Sequence, residues 1–167
     1  MKLQIPVREV IFGLEDSLVS TLGVVIGIAT GTQNRQLVIL SAVVVIVVES
    51  LSMTAGTYLS NKSEMEVAHK SASASTHKSL YNSLFMGVFY VLGGLISVTP
   101  FLFLSVHSAI IPSVILSFIV LFIIGYVKGS VAGINKIKSG LEMSLVSLAA
   151  ASVGYLIGRI SSPFLQK

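Results

Sequence analysis

The chain has 167 residues, a formal net charge of +4 and a mean hydropathy of +0.90; 53% of its residues are apolar and only 11% are charged. So little charge cannot cover a water-soluble domain, and the composition belongs in lipid. The lysines and arginines fall mainly between apolar segments, which reads as membrane orientation with no nucleic-acid partner, and zero cysteine excludes disulfides and thiolate metal sites.

A bilayer core takes about 20 apolar residues in a helix, and five segments qualify, at about 8–31, 35–60, 80–104, 110–133 and 140–159. The expected fold class is therefore all-α, a single transmembrane domain over 1–167 with five transmembrane helices. In the first helix, Arg8, Glu9 and Asp16 interrupt the apolar pattern, which argues against a cleaved leader. Glu9, Gly13, Asp16, Ser20, Gly23 and Gly27 follow at spacings of three and four, so they share one helix face. Glu15 points about 100° away from it.

Thr32-Gln33-Asn34 makes the first turn. In the second helix the stretch Val43 to Val48 is β-branched, but a lone strand cannot satisfy its backbone in lipid, so it is read as helix. Glu49, Met53, Gly56 and Ser60 again lie three and four apart, on one face. The connection that follows, at about 61–79, is the longest and most polar, and carries Glu64, Glu66, His69 and His77. Pro100 is placed to kink or end the third helix, and Pro112 to lie near the start of the fourth. His107 falls in an outer turn, and Glu142 at the start of the fifth helix, where a carboxylate suits the helix dipole.

Two glycine stripes, Gly23-Gly27-Gly31 and Gly125-Gly129-Gly133, and a small-residue stripe from Gly140 to Gly158 predict close helix packing. They do not say whether the contacts lie within one chain or between two. Orientation follows from the positive-inside rule. With the N-terminus in the cytoplasm, Lys2, Arg8, Lys62, Lys70, Lys78, Lys128, Lys136 and Lys138 are inside, and only Arg35, Arg159 and Lys167 outside. The C-terminus is then on the opposite side.

The carboxylates carry the chemistry. Asp near the centre of a membrane helix costs about 2.5–3.5 kcal/mol on insertion scales. Lys128 is the nearest basic residue, about two turns from the inner end of the fourth helix. With no fixed counter-charge at matching depth, a mobile cation or proton is the better partner for Asp16 and Glu49. Carboxylate oxygens alone suit Mg²⁺, Ca²⁺ or Mn²⁺, whereas the Met53 thioether tilts a site towards Fe²⁺. These ligands are too few for one ion, and a homodimer would double them.

These residues resemble a known family. "REVIFGLEDSLVSTLGVVIG" and "ESLSMTAGTYLSNKSE" are similar to the first- and second-helix signatures of the vacuolar iron transporter family, and "GYVKGSVAGINKIKSGLEMSLVSLAAASVGYLIGR" to its fourth and fifth helices. The resemblance implies a homodimer with its first helices at the axis. It implies export of Fe²⁺, often Mn²⁺, from the cytoplasm in exchange for protons, with the metal as transported substrate and no cofactor. It places path-lining residues at Glu9, Asp16 and Met53. Three departures stand out: Ser17 follows the motif Asp; the second-helix carboxylate is Glu49 where the family's would fall near Val45; and the 61–79 connection is too short for a cytoplasmic metal-binding domain. A non-transporting helical subunit or scaffold is the alternative reading, and enzymatic activity is not expected. The host membrane would be the plasma membrane of a prokaryote, or a vacuolar or other organelle membrane of a eukaryote.

Overall fold

The computed structural model describes residues 6–68 and 72–165. Among these residues there are five helices and no strand: α1 Val7–Thr32, α2 Arg35–Val67, α3 Ala72–Phe103, α4 Val106–Ala132 and α5 Lys136–Leu165. All five are long and apolar enough to cross a membrane.

Local chemistry sets the turns. Gln33 takes the left-handed conformation (φ 54°) and its N–H closes on the Ala29 carbonyl, ending α1. Asn34 then caps α2, its side-chain oxygen accepting from the N–H groups of Gln36 (2.9 Å) and Leu37 (3.3 Å). One residue stops a helix and the next starts another, so α1 and α2 are antiparallel. Gly133 (φ 69°) ends α4 in the same way, and the Asn135 side chain caps α5 by accepting from the Lys138 N–H at 3.1 Å.

The helices run past the bounds that hydropathy predicts. The connection expected at about 61–79 is helical at both ends, because α2 continues to Val67 and α3 begins at Ala72. Lys, Glu, Met and Ala are good helix formers even where they are too polar for lipid. At 33 residues α2 is about 50 Å long, against a hydrocarbon core of about 30 Å, so its last turns stand outside the core. His69 lies outside the described residues, and His77 is exposed on α3. Glu64 and Glu66 are exposed on the polar extension of α2. Because α4 starts at Val106, Pro112 sits in its second turn, not near its start, and His107 falls in its exposed first turn. Glu142 likewise falls past the first turn of α5, where it pairs with Lys138 at 3.9 Å in place of the dipole contact expected of it. Pro100 does lie close to the end of α3, three residues before Phe103.

α1 is the central helix, packed on α3 and α5 and touching α2 and α4; α2 lies on α3, and α4 on α5. The interior mixes buried serines and glycines with apolar side chains such as Leu18, Leu22, Ile26 and Phe101, while the exterior is large and aliphatic. On α4 the buried stripe is Ala109, Ser113, Ser117, Leu121, Gly125 and Gly129, while Ile111, Ile115, Ile119 and Ile123 point out. That is the reverse of a soluble bundle, and it is the arrangement lipid favours.

Most of the small-residue positions pack within the chain, whereas Gly133 serves as the left-handed cap of α4. A Cβ at Gly154 would collide with the Gly23 carbonyl, and one at Gly158 with the Gly27 carbonyl, so α1 and α5 meet backbone to backbone. Gly125 and Gly129 abut Ser139, Gly140 and Lys136 and close the α4–α5 hairpin. Buried serines tie the remaining helices. Ser97 donates to the Leu18 carbonyl (3.2 Å) and meets Ser117 (3.1 Å), Ser113 donates to the Ser97 carbonyl, and Ser144 donates to the Phe118 carbonyl (3.1 Å).

Candidate functional site

The N-terminal end of α1, the C-terminal end of α2 and the N-terminal end of α3 come together at one end of the bundle, with the α4–α5 turn. This end carries Arg8, Lys62, Lys78, Lys128, Lys136 and Lys138 and is called the basic end below. Two levels of polar residues follow one another inward from it.

The first level is a cavity of about 240 Å³ between α1, α2 and α3, whose wall includes Arg8, Glu9, Met53, Ser60, Asn61 and Met86. Glu9 is 7% exposed, and Asn82 of α3 donates its amide to one carboxylate oxygen at 3.2 Å. Gly13 makes the close approach of α1 to α3 possible: a Cβ there would lie 2.7 Å from the Met86 carbonyl and 3.3 Å from the Met86 sulfur.

The second level lies about two turns further along α1. Asp16, half-buried, is close enough to Glu49 for their charges to interact, and the Tyr90 hydroxyl lies near enough to feel the charge of both. Ser20 Oγ and the fully buried Tyr90 hydroxyl are hydrogen-bonded at 2.8 Å. Ser20 also lines a long apolar groove of about 770 Å³ between α1 and α5, floored by Gly23, Gly27, Gly154 and Gly158. Glu49 is exposed on the surface of the bundle.

The four carboxylate and thioether positions expected to form one site thus divide. Glu9 and Met53 share the cavity, whereas Asp16 and Glu49 share the deeper level. No group of three or more His, Asp and Glu side chains among the described residues is close enough to hold a metal ion. Glu15 stands apart with Lys128, Arg8, Ile11 and Phe12 around a separate depression of about 300 Å³. Among the described residues the ion pairs within 4 Å are Lys62–Glu66 and Lys138–Glu142, both exposed, so neither Asp16 nor Glu49 is clamped by a basic side chain.

Met86, Asn82 and Asn61 are wall and support residues that the sequence pattern did not single out. A signal was present: Asn82, Met86 and Tyr90 lie four apart on one face of α3 and run into Gly93, Gly94 and Ser97.

Five helices long and apolar enough to cross a membrane, with carboxylates on α1 and α2 that no basic side chain among the described residues clamps, define a polytopic helical membrane protein. A family model, that of the VIT family, matches residues 7–80 and 70–159. The chain belongs to the VIT family, the vacuolar iron transporters that its helix signatures resemble. It is an integral membrane protein, and its membership points to membrane metal-ion transport rather than enzymatic activity. No curated relative matches the chain.

Proposed function

We propose that this protein exports divalent transition-metal cations, Fe²⁺ and Mn²⁺, from the cytoplasm in exchange for protons, as a homodimer with α1 at its axis. The observation that carries the reading is the Asp16–Glu49 pair, set within membrane-spanning helices with no basic partner among the described residues. Two like charges in such a place repel each other and lack solvation, so they favour a shared divalent cation or protons. Binding one releases the other, because a carboxylate must be deprotonated to ligate metal. That competition is the simplest exchange device.

Glu49 supports the dimer. It stands on the outside of a single bundle, about 21 Å along α2 from Arg35, where lipid would be a poor neighbour. A second copy seated along the α1–α5 groove, whose rim includes Ser20, would cover the carboxylate level and bring two sets of ligands together. The positive-inside rule sets the basic end in the cytoplasm. Moving a divalent cation outward against 100 mV costs about 4.6 kcal/mol, which returning protons offset.

The test is metal-dependent proton flux in proteoliposomes with an imposed pH gradient, measured across Fe²⁺, Mn²⁺, Co²⁺ and Zn²⁺. The proposal expects flux with Fe²⁺ and Mn²⁺. Silence with every ion, from a correctly assembled protein, would leave a scaffold role in its place.

A further inference from the structure

We infer that the cavity at the basic end is a loading site with two sulfur ligands, at which Met53 and Met86, with the Glu9 carboxylate, hold a soft-leaning divalent cation before it reaches Asp16 and Glu49. The inference rests on the transport reading and adds to it a second thioether and a selectivity step.

Three observations carry it. Met53 of α2 and Met86 of α3 line the same cavity as Glu9 of α1, so three helices converge a mixed sulfur and oxygen donor set on one space of about 240 Å³. Glu9 is nearly fully buried, yet its bonded side-chain partner is the neutral amide of Asn82 on one oxygen, and no described basic side chain lies within 4 Å of it. The third is Asn61, in the same wall, whose amide nitrogen is buried without a partner. Amide nitrogen and oxygen take the positions their partners dictate. The Asn61 oxygen is a further donor for an ion in the cavity, and ligation would fix which way the amide turns.

The chemistry of this set is selective. Thioethers add little for Mg²⁺ or Ca²⁺, which want oxygen ligands and, for Mg²⁺, give up water reluctantly, but they favour softer ions. Arg8 stands at the exposed rim and makes no ion pair with Glu9, so one carboxylate supplies the negative charge and the two sulfurs supply the selectivity. Such a site holds the ion weakly enough to pass it inward. Met86 is then a specificity-determining residue, positioned by the bare backbone of Gly13.

The probe is Cd²⁺, and the readout is X-ray absorption on the full chain in lipid nanodiscs. The wild-type protein should show two sulfur scatterers on the ion, Met53→Leu and Met86→Leu one each, and the double variant none. In proteoliposomes Met86→Leu should lower the ratio of Cd²⁺ to Mn²⁺ transport about tenfold while Mn²⁺ transport persists, the direction that ligand softness dictates. A residue that only packs would leave the scatterer count and the ratio unchanged, and that result overturns the inference. If Met86→Leu does not assemble, selenomethionyl wild-type protein decides the question: two selenium neighbours support the site, and one or none defeats it. Absence of all transport by the wild type would defeat the exporter reading instead, and the scatterer count would still judge the cavity.

Discussion

α1 meets its two main neighbours in opposite ways. Towards the basic end it touches α3 at the bare backbone of Gly13, and beside that contact Glu9, Asn82, Met86 and Met53 leave a cavity between the helices. Beyond Ser20 it lies against α5 through bare backbone, with Gly23 and Gly27 facing Gly154 and Gly158. The small-residue spacing is continuous along the helix, yet one half leaves a cavity lined by polar and thioether side chains and the other brings two backbones together beneath an apolar groove. Packing that tight fixes the angle and depth of α1. A helix so held can carry carboxylates that have no fixed partner without shifting to relieve them.

Several substitutions would break or sharpen this contrast. The largest effect is expected for Asp16→Asn, which should reduce the proposed metal-driven proton flux in proteoliposomes to background while the elution volume in size-exclusion chromatography stays that of the wild type. Next is Gly154→Leu, which drives a side chain into the Gly23 backbone; it should destabilise by at least the 1–3 kcal/mol of ordinary overpacking and lower the thermal unfolding midpoint in detergent. Glu49→Gln should slow flux without stopping it, since Asp16 remains, and unaltered rates would remove Glu49 from the path. Ser113→Ala, which deletes a buried interhelical hydrogen bond to the Ser97 carbonyl and removes no carboxylate or thioether, should cost only about 0.6 kcal/mol and leave transport intact. Smallest of all, Lys62→Ala breaks an exposed pair with Glu66 and should change stability by about 0.5 kcal/mol or less in a chemical-denaturation series.

The five spans were legible because hydropathy over 20 residues leaves few choices, and the first turn because Asn34 is a strong capping residue. The helical reach to Val67 and back from Ala72 was not, since hydropathy reports where lipid ends and says nothing of where hydrogen bonding ends. The helix faces bearing Glu9, Asp16, Glu49 and Met53 could be read from spacing alone. Their division into two levels could not, because it depends on how α2 and α3 slide along α1. Close contacts such as Gly87 against Thr54 and Gly94 against Ile46 set that register, and glycine spacing does not name its partner helix. Met86 carries no signal of its own in the sequence, because a lone methionine in an apolar run usually fills space.

Along α4 and α5 the bundle keeps mostly serine, glycine and alanine inside and turns isoleucine and leucine outward. Separating its helices within a bilayer would therefore uncover almost no fresh oil-water boundary. Calorimetry of that dissociation should record a nearly flat heat-capacity baseline, and cohesion should track the thickness and lateral pressure of the surrounding lipid more closely than temperature.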